Sequence, residues 1–347
     1  MDEIQLKVNN QIYNGWDGVT LRRSLGAVAG AFGLSIVKAW EGGIYPQDVC
    51  KVTIGGETII SGYVDAVNMQ ISGTENGYSV EGRDFTGQLV DCSAIHKTGS
   101  WINAKINTII GDLVAPFKIK AIFTGDLGEA FPRFTIQQSE TVFEAIDRAC
   151  KARGLIATSN FAGELIITDQ KTKKSKDSLT VGVNIKAASL ALKLDERFSK
   201  YTVKGSLTGD DFSASNSYNI SASVVDKAIN LYRPLIIIAE GQVNKKTAQA
   251  RANIEASIRA AKASAVDVTV VGWRQSDGRL WDVNYEIPVN IPQFDLKENM
   301  LIIECAYSLD EGGGKIVNLK LMRDDAFLKI PEGAPKEVKK RKSGFKW

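Results

Sequence analysis

The chain of 347 residues is poor in the residue types on which much enzyme chemistry depends. It has a single histidine, His96, and four cysteines that lie far apart, with no CxxC pair. A Ser-His-Asp or Cys-His arrangement would have to use His96, and no GxSxG motif accompanies it. Zinc-ligand spacing is absent as well. We therefore expect no metal and no cofactor, and we predict that the cysteines are small buried hydrophobes in a reducing compartment.

Motifs for phosphate binding and for paired carboxylates are also lacking. The segment Gly314–Ile316 reads Gly-Lys-Ile, whereas a Walker A motif needs Ser or Thr after the lysine, so a hairpin turn is the better interpretation. Adjacent acids occur at Asp210–Asp211 and Asp324–Asp325. A glycosidase needs two carboxylates across a cleft, which adjacent acids in polar turns do not supply. A lysozyme-like hydrolase stays open as the alternative, with only residue type in its favour.

Long apolar runs are missing too. The longest, Leu235–Ala239, is far shorter than the roughly 20 residues that span a bilayer. The start, Met1–Glu3, is acidic, unlike the start of a signal peptide. The net charge of +3 gives no global argument for a nucleic-acid or membrane partner. We expect a protein that folds in the cytoplasm of the cell that makes it, without membrane insertion.

What the sequence does contain, over its first 90 residues, is the pattern of short strands. Apolar and polar residues alternate through Ile4–Val8, the period of a half-buried strand. Turn pairs separate the segments, among them Gly55–Gly56 and Asn76–Gly77. Further short apolar stretches lie at 34–37, 52–54, 59–64 and 78–80. This spacing predicts an antiparallel barrel or sandwich.

The period then changes to that of helices. Apolar residues recur at helical spacing from Ile102 to Val114, and Pro116 stops the run. For a second helix we predict Ser139 as the N-cap, Glu140 near the positive end of the helix dipole and Gly154 as the C′ residue. A hairpin follows, with arms at 155–158 and 165–168. Together these elements predict a small helix-hairpin α+β module.

Strand patterns return in the last part of the chain. Strand-like stretches lie at 188–194, 201–203, 235–239 and 266–271, and the arms of a hairpin lie at 300–308 and 316–322. An alanine-rich stretch at 245–263 predicts a helix. Trp273 and Trp281 flank a turn signal and are expected in the core. The stretch 171–177 is polar and basic and is interpreted as a surface loop.

Beyond Pro331 the sequence is polar and basic, with two aromatic residues near its end. One interpretation is a loose tail, since basic tails are common without a specific role. The sharper hypothesis is a tail that docks a partner. Its candidate residues are Lys339, Lys340, Arg341, Lys342, Phe345 and Trp347.

Several segments, in order along the chain, resemble the baseplate hub family of Mu-like contractile-tail phages, also called tail protein P. The stretch SETVFEAIDRACKARGLIATSNFAGEL is especially similar. The similar segments are Arg23–Leu34, Gly62–Asp65, Gly82–Ala94, Ser139–Leu165, Arg197–Gly205, Tyr232–Glu240, Ala248–Ala252 and Gly272–Trp281. The resemblance weakens at 206–226 and after residue 325.

The resemblance implies a non-enzymatic structural protein of the virion tail baseplate, assembled in the host cytoplasm. The competing hypothesis is an enzyme, a tail-associated peptidoglycan hydrolase. It implies a homotrimeric ring that links the tail tube to the central spike, with two tube-like β-barrels in each subunit. The partners would be further copies of the chain, the spike, the tube, the tape measure and other baseplate proteins. DNA would pass transiently through the central channel, which favours few strong phosphate contacts.

The expected fold class is therefore α+β, mostly antiparallel β, with two tail-tube-like β-barrels and an inserted helix-hairpin module. We expect a first β-barrel at 1–95 and the α+β module at 96–175. A second β-barrel is expected at 176–330 with its associated helix at 245–263. The basic C-terminal tail would follow at 331–347.

Overall fold

The structure is a computed structural model. It describes residues 2–38, 42–72, 76–168, 173–207, 218–239, 245–309, 312 and 314–323. Within these residues the protein is mostly antiparallel β-structure with four α-helices. None of the helices in the described ranges is both long and apolar enough to cross a membrane.

The first block of the chain is built from strands. In β1 the residues Ile4, Leu6 and Val8 are buried and alternate with half-buried polar ones, as the sequence predicts. The turn Gly55–Gly56 has φ of +57° and +84°, which glycine adopts most readily, and it joins β5 tightly to the long strand β6. The strands are β1 (Ile4–Val8), β2 (Gln11–Tyr13), β3 (Gly18–Ser24), β4 (Ala31–Ile36), β5 (Val49–Ile54), β6 (Glu57–Ile71) and β7 (Asn76–Asp84).

The middle block contains three helices around short strands. Its helices are α1 (Gly87–Asp91), α2 (Ile106–Val114), which continues into a 3-10 turn at Ala115–Phe117, and α3 (Val142–Ala152). Its strands are β8 (Ser100–Ala104), β9 (Ala121–Thr124), β10 (Phe131–Thr135), β11 (Ile156–Ser159) and β12 (Leu165–Thr168). The predicted hairpin is confirmed as β11 and β12, and β9 pairs with β12 in parallel.

Two details of the predicted helices are wrong. Ile102 is in β8 and is 78% exposed, because β8 pairs with β10 and the helix begins only at Ile106. The N-cap of α3 is Thr141 and not Ser139: the Thr141 hydroxyl accepts from the Glu144 backbone N–H, and the Glu144 carboxylate accepts from the Thr141 backbone N–H. This reciprocal capping box outcompetes a lone serine two residues earlier.

The last block returns to strands and adds one long helix. Its strands are β13 (Lys173–Lys174), β14 (Leu179–Thr180), β15 (Ile185–Leu190), β16 (Lys200–Leu207), β17 (Tyr218–Val225), β18 (Pro234–Ile238), β19 (Val266–Val271), β20 (Tyr285–Ile291), β21 (Leu296–Leu309) and β22 (Lys315–Arg323). The helix α4 spans Lys245–Lys262, and a 3-10 turn lies at Pro292–Phe294. The predicted helix at 245–263 and the hairpin β21–β22 are confirmed.

The first and last blocks share one sheet of 14 strands. Its main path runs β15-β19-β22-β21-β3-β4-β7-β6-β5-β1-β2, and β13, β14 and β20 join it beside β21. The two blocks meet where β3 pairs antiparallel with β21, with Leu21 opposite Tyr307 and Ser24 opposite Glu304. One hydrophobic cluster extends from Ile4 in β1 to Leu321 in β22. Burial of this shared apolar surface is therefore common to both blocks.

Two smaller units pack beside this sheet. The middle block has its own apolar cluster, built largely from α2, α3, β11 and β12. The second unit is the sheet β17-β16-β18 with α4 against it, which we call the small sheet. Its buried apolar cluster consists of Val203, Ala222, Ala248 and Ala252, and Tyr201 of β16 is buried as well. A cluster of one valine and three alanines buries little apolar area per residue.

Candidate functional site

A buried polar cluster joins the three blocks, and we call it the junction. Arg23 in β3 is buried and forms an ion pair with Asp282, which precedes β20. The same guanidinium donates to the backbone oxygen of Ser159 in β11 at 2.5 Å and lies 4.3 Å from the centre of the Phe161 ring. Burial raises the pKa of Asp282, and the positive charge of Arg23 opposes this shift. One side chain of the first block thus bonds to both the middle and the last block.

Asp84 at the end of β7 is the second centre of the junction. Its carboxylate is buried and accepts from the backbone N–H of Gly30 at 2.8 Å, from the backbone N–H and hydroxyl of Thr86, and from the hydroxyl of Ser159 at 2.6 Å. A buried carboxylate needs such donors, because an unpaired one would lose its hydration without compensation. All of these hydrogen bonds connect Asp84 to other groups of the protein, so its role in the described structure is to hold them together.

Gly163, in the turn between β11 and β12, closes the junction sterically. Its φ is +74°, and an added Cβ would lie 2.5 Å from the Ser61 backbone oxygen and 2.7 Å from a carbon of the Phe85 ring. Only glycine lets the hairpin of the middle block approach β6 this closely.

Near the junction a cleft of about 510 Å³ lies between β6, β7 and α1. Its cation already has partners: Arg83 bonds to Asp65 at 2.6 Å and to Asp91 at 2.6 Å. The hydrogen bond from Arg83 lowers the pKa of Asp91, and the two carboxylates raise the pKa of Arg83. A general acid would need a raised carboxyl pKa, so this arrangement suits a structural clamp better than catalysis.

His96 lies between the first block and α2, as the sequence predicts. Its ring stacks on Trp101 with 4.3 Å between the ring centres, and its Nε2 is 3.8 Å from a carboxylate oxygen of Asp112. That same oxygen accepts a hydrogen bond from the Trp101 indole at 2.8 Å. The histidine therefore helps to fix β8 against α2.

The prediction that the cysteines are buried holds for three of the four. Cys50, Cys150 and Cys305 are buried, and burial raises the pKa of each thiol, that of Cys50 to about 12. The prediction is wrong for Cys92, which is exposed. Cys92 directly follows the short helix α1, where its side chain does not reach the core. The core positions expected for Trp273 and Trp281 are confirmed.

Several candidates from the sequence cannot be placed. The tail residues Lys339, Lys340, Arg341, Lys342, Phe345 and Trp347 lie outside the described residues, as do both adjacent acid pairs. In the part of the chain that is described, no group of three or more His, Cys, Asp or Glu side chains is arranged to hold a metal ion.

The surface of the small sheet shows a feature that sequence reasoning missed. Tyr232, Ile236 and Ile238 are 92%, 57% and 70% exposed, and Pro234 between them is exposed too. The run Leu235–Ala239 predicts a strand correctly. An unbroken apolar run does not reveal which face is exposed, so no local pattern in the sequence marks this surface.

Comparisons with known proteins agree with this picture. The chain is 32% identical to the baseplate hub protein gp44 of Escherichia phage Mu, over 98% of this chain and 92% of that protein. It is 36% identical to the 43 kDa tail protein of prophage MuSo2 from Shewanella oneidensis, whose crystal structure matches with a TM-score of 0.85 over 94% of this chain and 99% of that one. The tail protein from Neisseria meningitidis MC58, 20% identical, has the same fold, with a TM-score of 0.81 over 94% of this chain and 97% of that one.

Three family profiles also match in order. They describe the N-terminal domain of Mu phage baseplate assembly protein GpP-like proteins (residues 3–84), the second domain of baseplate hub protein gp44-like proteins (86–169) and the fourth domain of Mu phage baseplate assembly protein GpP (244–330). The fold and these matches define a structural protein of a phage tail, and not an enzyme. More particularly, the chain belongs to the baseplate hub family of Mu-like phages and is a component of the tail baseplate.

Proposed function

We propose that the chain forms a homotrimeric ring at the centre of the baseplate of a contractile tail, where it links the tail tube to the central spike. The observation that carries the proposal is the relationship to the phage Mu baseplate hub protein along 98% of the chain. A closed ring of three copies satisfies the preference of soluble oligomers for point-group symmetry and leaves no open end on which filaments could grow.

The arrangement of the strands supports a hub with two tube-like halves. Each β-rich block would form one β-barrel, and the β3–β21 ladder would hold the two barrels of a subunit side by side. Three chains then present six barrels, so one face can meet a hexameric tube while the other meets a trimeric spike. The domain limits that we propose are 1–95, 96–175, 176–330 and 331–347, with the helix 245–263 attached to the third.

The ring would enclose a channel for the tape measure and then for DNA. The net charge of +3 suits passage, because a wall that neutralised many phosphates would hold DNA. Other baseplate proteins would surround the ring, which would assemble in the host cytoplasm. The tail at 331–347, with Lys339–Lys342, Phe345 and Trp347, is proposed as a docking segment for one of these partners.

The mass of the purified protein in solution tests the ring. Light scattering should give three times the chain mass of 37.8 kDa at micromolar concentration. An interface of the obligate kind, roughly 2,000 Å² or more, would keep the trimer together on dilution. A monodisperse monomer that stays monomeric when spike protein is added would contradict the proposal.

A further inference from the structure

The cleft between β6, β7 and α1 has an excess of negative charge. Its lining includes three carboxylates, those of Asp65, Asp84 and Asp91, against the single guanidinium of Arg83, which gives a formal charge of −2. Asp65 and Asp91 share that guanidinium, and their side chains are still 38% and 53% exposed. A carboxylate offers about four lone-pair sites, so both can accept from a second cation. The cleft therefore favours a positively charged occupant.

One wall of the same cleft is apolar. Pro46 and Tyr63 line it, and Val49, which stands opposite Tyr63 in the register of β5 and β6, is 53% exposed. Residues directly opposite each other on antiparallel strands share a face, so Val49 continues the apolar surface past the cleft. An exposed valine beside a tyrosine is a surface on which an aromatic side chain can pack. A fitting occupant therefore combines cations with aromatic residues.

The segment 331–347 of this chain has that composition. Its side chains include six cations and two carboxylates; four of the cations are consecutive at Lys339–Lys342, and Phe345 and Trp347 follow them. A second cleft, of about 310 Å³, is lined by Met322 near the end of β22, but its three lysines and three carboxylates balance one another. It offers no net attraction to a basic segment. Charge thus selects the cleft between β6, β7 and α1.

The cleft lies within reach of this segment. The last described residue is Arg323 in β22, and β7, which carries Arg83, is the fourth strand from β22 in the sheet, about 20 Å away at the usual strand spacing. Lys339 follows Arg323 by 16 positions, and a chain of that length extends to roughly 50 Å. A segment tethered in this way has an effective concentration on the order of millimolar, so even a weak contact is occupied.

We propose that the segment 331–347 docks in this cleft of its own subunit, with the cations of Lys339–Lys342 against Asp65 and Asp91. One of its aromatic side chains would pack on the apolar wall. The contact does not depend on the trimeric ring, because it forms within a single chain. A partner that binds the tail, as proposed above, would first have to displace it from the cleft. The cleft would thus keep the tail covered in the free subunit.

Cys92 provides a reporter beside the cleft in the full-length protein. It directly follows Asp91 and is exposed, whereas the other three cysteines are buried, so a thiol-reactive bimane dye labels it selectively. Bimane is quenched by a tryptophan that touches it, and docking would bring Trp347 to the dye. We therefore expect the labelled wild type to fluoresce less than labelled Trp347→Phe, which keeps an aromatic residue but has lost the quencher. Equal fluorescence of the two proteins would overturn the proposal.

Charge variants test whether the cleft itself holds the tail. Asp65→Lys leaves Arg83 paired with Asp91 but brings the formal charge of the cleft to zero, so the quenching should be lost. Glu57→Lys is the matched control, because Glu57 is 47% exposed and binds an arginine outside the cleft at 2.8 Å. It should keep the quenching. Replacing Lys339–Lys342 by glutamine should abolish it without any change in the described fold. Quenching that persists in either cleft or tail variant would contradict the docking.

A mixed sample distinguishes the chain's own tail from that of another copy. Cys92→Ala chains, which keep Trp347, are co-expressed with Trp347→Phe chains, which keep Cys92 and alone take the dye. Docking within one chain leaves this dye as bright as in Trp347→Phe expressed by itself. Quenching in the mixed sample would assign the cleft to the tail of a neighbouring copy and would overturn the proposal. The bright result is expected for a monomer and for a trimer alike, so failure of the ring and failure of the docking are distinguishable.

Discussion

The junction and the small sheet stabilise the same chain by different means. The junction uses buried charges with a full set of partners, in which Arg23 and Asp84 bond to groups from distant parts of the sequence. The small sheet has one such pair at its end, where the buried Arg197 binds Asp226 at 2.7 Å, but the apolar cluster between the sheet and α4 is one valine and three alanines. Polar networks with every partner present specify a unique geometry, whereas a thin apolar core leaves a unit that opens easily. We therefore expect the junction to be more rigid than the small sheet.

The largest expected effect comes from removing the buried cation of the junction. Arg23→Ala leaves Asp282 without its ion partner in a largely buried position, and removing one partner of such a pair is strongly destabilising. We expect a loss of about 3 kcal/mol in the free energy of unfolding, at the lower end of the usual range because the Asp282 side chain stays 27% exposed. Urea denaturation measures it.

The neighbouring residue supplies the control for that experiment. Arg22 also forms an ion pair, with Glu304 at 2.8 Å, but its side chain is 61% exposed. Arg22→Ala should cost about 0–1 kcal/mol, as surface pairs do. Equal losses of unfolding free energy in the two variants would mean that the ion pair of Arg23 stabilises the fold no more than an exposed surface pair does.

A second substitution tests the steric part of the junction. Gly163→Ala combines strain at positive φ with a Cβ 2.5 Å from the Ser61 backbone oxygen, so we expect a loss of about 2–3 kcal/mol in unfolding free energy. Gly278→Ala is matched in backbone conformation, with φ of +84°, but has no atom near the added Cβ. It should cost only about 1 kcal/mol. If both variants lose the same unfolding free energy, the close approach of Gly163 to Ser61 contributes nothing to the cost.

The small sheet should respond more weakly and more locally. Val203→Ala removes two buried methyl groups and should lower the unfolding free energy of this unit by about 1.5 kcal/mol, whereas exposed Val225→Ala should have almost no effect. Hydrogen exchange resolves the difference by region. Amides of β16 should exchange faster in Val203→Ala, while those of β21 stay protected. Acceleration in both sheets together would show that they unfold as one unit.

Prediction from sequence succeeded where local patterns decide the structure. The alternation of Ile4–Val8 and the β-branched run Val266–Val271 became β1 and β19 as predicted. It could not find the junction, because Arg23, Ser159 and Asp282 are brought together only by long-range strand pairing. Nor could it show that the first and last blocks share one sheet, since no local signal marks the pairing of β3 with β21.

The start of α3 shows that the remaining errors of sequence-based prediction are local. Substitutions there should also have the smallest effect on the unfolding free energy. Thr141→Ala removes the hydroxyl that accepts from the Glu144 backbone N–H at 3.2 Å, so it should cost about 1 kcal/mol of unfolding free energy. Ser139 has φ of +63° and lies outside the helix, so Ser139→Ala should stay within about 0.5 kcal/mol of the wild type in the same denaturation experiment. The reverse order of the two losses would restore Ser139 as the cap. The expected order would show that a Thr-x-x-Glu pair is a stronger helix-start signal than a serine alone.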